Sequence, residues 1–170
     1  MKWLRAMALA ALLAGAAGAH AQSVDAVAGA QKALTEALQK TPLSLPVALF
    51  VKDKPAGYGM YEARHSNRFR VGEPLLFYVE PLGYKYKYSG DVVTFGVSMD
   101  LLLTRKDEVL YRRSDFMILD LKSHHANAEL DLIGTLNLND AKPGDYLLEI
   151  VVRDHSSAET ARTQLPFTID

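Results

Sequence analysis

Three tyrosines alternate with two lysines in the segment Tyr84-Lys85-Tyr86-Lys87-Tyr88 of this 170-residue chain. In an extended segment, the three rings share one face and the two ammonium groups lie on the other. Exposed tyrosines stack on sugar or peptide faces while their hydroxyls form hydrogen bonds, so these five residues are a candidate ligand-binding or partner-binding strip. The alternative is a hairpin arm whose rings cover the edge of the core and whose lysines discourage pairing with another strand.

Histidines are the second candidate group, because imidazoles bind metal ions. His124 and His125 are adjacent, and His155 follows Asp154 in another turn region. Neighbouring residues on a strand point to opposite faces, and no two histidines have HxH or HxxxH spacing. We therefore expect solvated loop histidines, no metal site and no cofactor.

Carboxylates are the third candidate group. Two carboxylates about 5–9.5 Å apart across a cleft can hydrolyse glycosides, but the sequence places no such pair among Glu80, Asp100, Glu149 and Asp154. A partly buried ion pair between Glu80 and Arg153 is an alternative role for these two residues. The chain also lacks a GxSxG motif and a phosphate-binding glycine loop. We expect no catalytic residues, and a weak hydrolase with paired carboxylates remains a minor alternative.

Strands must position these groups, because from Pro46 onward apolar residues recur at every second position. Long alternating series begin at Val93, Leu130, Tyr146 and Thr163, and shorter strands are expected at Val47–Val51, Leu75–Glu80, Val109–Arg112 and Phe116–Leu121. Turn residues separate the series, and no helix-length segment lies between them. This pattern predicts an all-β, antiparallel two-sheet sandwich rather than a parallel α/β sheet.

A tyrosine at the start of one strand favours the immunoglobulin-like type of sandwich. The strand ending near Leu138 runs into the turn Pro143-Gly144, and Tyr146 opens the next strand. This arrangement resembles a tyrosine corner, in which the phenol hydrogen-bonds to the backbone just upstream. Leu148 stands where an antibody domain has its second cysteine, so the resemblance extends to the wider superfamily only.

The N-terminus has the order of a secretory signal peptide. Lys2 and Arg5 precede the apolar run 6–14, and small residues stand at Ala19 and Ala21, which predicts cleavage after Ala21. The run is shorter than the roughly 20 apolar residues of a membrane span. The chain therefore divides into a signal peptide (1–21), a helical arm (22–44) and a β-sandwich domain (45–170).

The helical arm is expected at residues 23–40. Small apolar residues recur there at spacings of three and four, with Ser23 as the expected N-cap and Pro42 after the end. The apolar stripe is thin, so we expect a peripheral or loosely docked arm.

The amino-acid composition excludes further classes of function. The chain has no cysteine, which excludes disulfides and thiol chemistry, and its formal net charge of −1 offers no basic excess for a nucleic-acid partner.

Short stretches spread over most of residues 45–170 resemble an uncharacterised family of small exported bacterial proteins with an immunoglobulin-like β-sandwich domain. These stretches are Phe69-Arg70-Val71-Gly72-Glu73-Pro74, Tyr78-Val79-Glu80-Pro81-Leu82-Gly83-Tyr84, Pro143-Gly144-Asp145-Tyr146, Arg153-Asp154 and Leu165-Pro166-Phe167-Thr168-Ile169. The resemblance implies export and the sandwich fold, and it brings no catalytic residue or cofactor.

Together these observations predict a periplasmic or secreted, non-catalytic domain that binds a protein or glycan of the cell envelope. The alternatives are a structural accessory domain of an envelope assembly and the weak hydrolase.

Overall fold

The computed structural model describes the backbone of residues 17–170 and the side chains of residues 24–170. The charged start and the apolar run of the predicted signal peptide lie outside the described residues. The chain divides into two compact units at Ala37/Leu38.

A single described helix, α1, spans Ala17–Lys40. It passes through Ser23, so Ser23 is not its N-cap as the sequence predicted. Val24, Val27 and Leu34 are exposed, which fits the thin apolar stripe expected for this arm. No described helix is long and apolar enough to cross a membrane.

The second unit is built from β-strands in two sheets, which confirms a mostly β chain. The strands are β1 Ser44–Phe50, β2 Arg68–Phe69, β3 Leu75–Leu82, β4 Lys87–Ser89, β5 Val92–Arg105, β6 Glu108–Ser123, β7 Leu132–Leu136, β8 Gly144–Asp154 and β9 Thr160–Ile169. The smaller sheet has the order β1-β3-β7, and the larger has the order β2-β9-β8-β5, followed by β4 and β6. The strands curl into a half-barrel instead of forming two flat layers.

Strand β6 joins two strands that the sequence predicted separately, Val109–Arg112 and Phe116–Leu121. Among the described strands it pairs with β5 alone, so it is an edge strand of the described sheet. Extra residues near Leu110 and at 114–116 interrupt the register with β5, and Asp115 has a positive φ of 51°. Such bulges bend a strand, which is consistent with the curl of the larger sheet.

Gly134 shows why one alternating series contains a glycine. It pairs with Phe77 across β3 and β7, and a Cβ at this position would overlap the Phe77 ring. The ring is fully buried in the core between the sheets. A side chain at residue 134 would therefore displace a central core residue.

The predicted tyrosine corner is confirmed. The Tyr146 hydroxyl donates to the Lys142 carbonyl at 2.6 Å, and its ring stacks on Phe167 with centroids 5.3 Å apart. The bond fixes the turn that leads from β7 into β8.

One margin of the sandwich, formed by β1, residues 67–69 and β9, is closed; we call it the closed margin. The rings of Phe50, Phe69 and Phe167 meet edge to face with centroids 5.2–5.7 Å apart. The Leu43 amide donates to Glu159 at 2.7 Å, and the Asn67 side chain donates to the backbone of β9. Side chains and hydrogen bonds therefore join the two sheets along this margin.

Candidate functional site

The tyrosine–lysine segment does not form an exposed strip. Tyr84 and Tyr86 are only 2% and 8% exposed and belong to the core, whereas Tyr88 is 60% exposed. The three rings therefore do not share a solvent-facing surface. The alternative interpretation is correct for the first two: their rings cover the core.

Ring packing explains this burial. Tyr84 stacks on Phe95 and Tyr86 packs against it edge to face, with centroids 5.7 and 5.5 Å from the Phe95 ring. Both hydroxyls donate to the Asn127 carbonyl, at 2.5 and 2.6 Å. Because burial disfavours the phenolate, the pKa of both tyrosines is raised.

Backbone and lysine contacts hold the same segment in place. The Gln39 side chain bonds to the backbone of both buried tyrosines, and the Lys85 amide donates to the buried Asp154 carboxylate at 3.0 Å. The Lys85 ammonium donates to the carbonyls of Thr41 and Gly83, so it is not a free surface cation. Lys87 is exposed and donates to the His155 carbonyl at 3.3 Å.

A cleft of about 720 Å³ opens at the opposite margin of the sandwich, between β6 and the segment that joins β7 to β8. We call this the open margin, formed by residues 108–116 and 135–142. Apolar side chains line much of the cleft: Leu103, Leu110, Phe116, Leu136 and Leu138, with the ring of Tyr146. Leu110 and Tyr111 are 45% and 38% exposed, so the cleft leaves apolar surface in contact with water.

Polar side chains complete the lining of the cleft. They are two basic, two acidic and two amide side chains and one phenol: Arg105, Lys142, Glu108, Asp140, Asn137, Asn139 and Tyr111. The arrangement offers hydrogen-bond donors and acceptors around an apolar surface. Noncovalent binding needs this combination, since apolar contact supplies affinity and polar groups fix orientation.

Arg105 is the most constrained of these polar residues. One guanidinium nitrogen donates to the Pro143 carbonyl at 2.7 Å, and the guanidinium carbon lies 5.6 Å from the centre of the Tyr146 ring. Its buried Nε has no hydrogen-bond partner among the residues that the structure describes. A buried donor without a partner is costly, so Arg105 retains hydrogen-bonding capacity that its protein contacts do not use.

The cleft is not evident from the sequence because its residues come from separate segments: the end of β5, β6, the end of β7 with the β7–β8 connection, and Tyr146 of β8. One signal was present. Alternation is clear in most strands but fails across Val109–Arg113, where apolar residues follow one another. That failure reflects a bulged edge strand with apolar side chains in contact with water.

The carboxylates have structural partners. The predicted Glu80–Arg153 pair is wrong, because Glu80 lies on β3 and accepts from the Tyr78 hydroxyl at 2.7 Å. Arg153 instead donates to Asp100 and to Asp115, at 2.5 Å for the latter. These bonds hold the 114–116 bulge of β6 against β5, since the Asp115 amide also donates to Asp100.

The charge of Glu80 acts on a second carboxylate, Asp131. Burial and the Glu80 charge raise the pKa of Asp131, and the Gly59 amide donates to the same Tyr78 hydroxyl that binds Glu80. Residues 58–61 therefore reach this acidic group through Tyr78, and neither carboxylate lines the cleft.

The candidate histidines lie at the surface. His124 and His125 are exposed, and His155 bonds Asp120 with 2.7 Å between Nδ1 and the carboxylate oxygen. Among the described residues, no group of three histidine, aspartate or glutamate side chains is arranged to hold a metal ion.

Comparisons with known proteins identify no family for this chain. No protein-family model matches it, and no curated protein is significantly similar in sequence. Its structure is distantly similar to a superoxide reductase (neelaredoxin) from Ignicoccus hospitalis, with a TM-score of 0.36 and 8% identity, over 74% of this chain and 82% of that one. At this level of similarity, the match carries no conclusion about activity, metal content or ligand.

Proposed function

We propose that the chain is an exported, non-catalytic domain of the immunoglobulin-like sandwich class that binds a protein or glycan of the cell envelope. The open-margin cleft is the proposed binding site, and it replaces the tyrosine–lysine segment in that role. The observation that carries the proposal is the exposed apolar lining of a cleft surrounded by charged and amide groups. Its volume of about 720 Å³ falls within the range of ligand sites.

Export and family membership belong to the same proposal. The order of charged residues, apolar run and small residues in 1–21 supports cleavage before Gln22. The tyrosine-corner bond and the two-sheet core support the sandwich class. N-terminal sequencing of the protein from its own organism tests export: a mature chain starting at Gln22 is expected, and a cytoplasmic pool that retains Met1 would contradict it.

Two adjacent residues of β6 test the binding site. Leu110 lines the cleft and Val109 does not, although Val109 is slightly more exposed, at 51% against 45%. Leu110→Asp places a charge on the apolar lining, whereas Val109→Asp adds the same charge just outside it. We expect the first variant to lose partners recovered from the envelope fraction or signals on a glycan array, and the second to retain them.

The same pair of variants separates the competing functions. Equal binding by both variants would place the ligand elsewhere on the domain. Recovery of a stable envelope assembly that neither variant disturbs would favour the structural accessory domain. Glycan-array signals without a protein partner would assign the cleft to sugar, and a protein partner without such signals would assign it to peptide.

A further inference from the structure

The second half of β6 differs from the half that lines the cleft. Residues 117–123 pair with β5 in unbroken register, from Met117 opposite Met99 to Ser123 opposite Val93. Across the described chain, this stretch forms strand pairing with β5 only. Its outer edge therefore presents unpaired amide and carbonyl groups over seven residues.

We infer that a second copy of this chain occupies that edge, with the two β6 strands antiparallel about a two-fold axis at Leu121. An interface of this kind is isologous, since each copy contributes the same residues. The backbone groups of one edge pair with those of the other and extend the larger sheet across both molecules.

Charge complementarity sets the register. A two-fold axis perpendicular to the sheet leaves the outer faces of both copies on the same side. With the axis at Leu121, residues lie opposite one another when their numbers sum to 242. Asp120 then faces Lys122 of the second copy, and the symmetry produces this pair twice. An axis at residue 120 or 122 would instead oppose two aspartates or two lysines.

The remaining side chains fit the same arrangement. Leu121, half-buried on the inner face, meets its own copy, and Leu119 on the same face lies opposite Ser123 of the second copy. Bulges protect the other half of β6 from strand pairing, because a bulged edge does not match a regular strand. Strand pairing over residues 119–123 thus leaves the β6 residues that line the cleft, Glu108, Leu110, Tyr111 and Phe116, out of the interface.

Two single charge reversals test both the partner and the register. Asp120→Lys gives a copy with two lysines on the edge, and Lys122→Asp gives a copy with two aspartates. Each variant alone opposes like charges twice, so we expect its self-association to weaken by about tenfold or more relative to wild type. When mixed, the two variants again oppose unlike charges at both contacts and should form a heterodimer.

Analytical ultracentrifugation of the wild type, each variant and their equimolar mixture provides the measurement. Asp120→Lys also removes the bond to His155, so circular dichroism must show an intact fold. Lys122→Asp changes an exposed side chain whose backbone pairing with Thr94 is retained, so it stands as an independent test. Arg112→Asp, in the bulged half of the same strand, is the control and should associate like the wild type.

Dimers of the wild type, loss in each variant and recovery in the mixture would support the inference. A wild type that stays monomeric at high concentration would overturn it. Dimers that persist unchanged in both variants would overturn the register and place the interface elsewhere.

Discussion

The two margins of the sandwich differ in how completely side chains fill the space between the sheets. At the closed margin, Phe50, Phe69 and Phe167 fill the space between the sheets and are nearly inaccessible to solvent. At the open margin, β6 and the β7–β8 connection stand apart around a cleft, and Leu110 remains exposed.

The difference shows which apolar residues stabilise the fold and which are available to a ligand. Rings at the closed margin have already lost their contact with water, so binding there would gain no further burial. Side chains at the open margin still contact water, and a ligand that covers them would remove apolar surface from water. The sheets explain the asymmetry, since three strands cannot cover a sheet of six.

The largest expected effect lies at the closed margin. Phe167→Ala removes a fully buried ring that contacts Phe50, Phe69 and Tyr146, and it should lower the free energy of unfolding by about 3–5 kcal/mol. Leu110→Ala at the open margin should cost less than about 1 kcal/mol, because much of that side chain is already exposed. Urea unfolding of both variants measures the contrast, and equal losses would remove the distinction between the margins.

The second-largest loss of stability is expected at the connection between β6 and β7. The hydroxyls of the buried Tyr84 and Tyr86 hold this connection by bonding to the Asn127 carbonyl. Replacing both Tyr84 and Tyr86 by Phe removes two hydroxyl donors to one carbonyl and should cost about 1–3 kcal/mol, at roughly 0.5–1.5 per bond. Tyr88→Phe is the matched control, since its ring is exposed, and it should be neutral. A neutral double variant would mean that these hydroxyls do not secure the connection.

Alkaline pH should weaken the same connection. Burial raises the folded-state pKa of Tyr84 and Tyr86 above the unfolded value of about 10, so folding opposes their ionisation. The corresponding stability is complete below about pH 10 and declines as the pH rises above it. The double Phe variant should lose less stability between pH 9 and about pH 11 than the wild type, and parallel curves would contradict this linkage.

The smallest loss of stability is expected at Tyr146, whose ring contributes to both margins. The ring stacks on Phe167 and also lines the cleft. Tyr146→Phe keeps the ring and removes the bond to Lys142, so it should cost about 0.5–1.5 kcal/mol. Glu129→Gln, at an exposed position, should stay within about 0.5 kcal/mol. Identical urea midpoints for wild type and Tyr146→Phe would show that the hydroxyl bond contributes nothing.

Much of the fold could be predicted from the sequence, because period-two alternation directly reports a strand with one buried face. The series from Val93 and from Tyr146 both became strands, and the Tyr146 corner formed as expected. Strand β6 was split into two because its bulges break the alternation that marks a strand. Bulges depend on partners elsewhere, here Arg153 with Asp100 and Asp115, which local sequence does not reveal.

The candidate site was harder to predict than the fold. Alternation placed Tyr84 and Tyr86 on one face correctly, but it does not tell whether that face meets solvent or Phe95. The cleft depends on how far β6 and β7 separate, which is a property of the packed sheets. No single segment of the sequence contains that information.

Site-specific photocrosslinking compares the two candidate surfaces most directly. A benzophenone amino acid is placed at Tyr111 in the cleft or at Tyr88 in the tyrosine–lysine segment, in protein expressed in its own organism, and adducts are identified by mass spectrometry. Both side chains reach solvent, at 38% and 60% exposure, so access alone favours Tyr88. We predict that envelope adducts form at position 111 and are weak or absent at position 88; adducts at 88 without any at 111 would contradict the assignment of the open margin as the binding site.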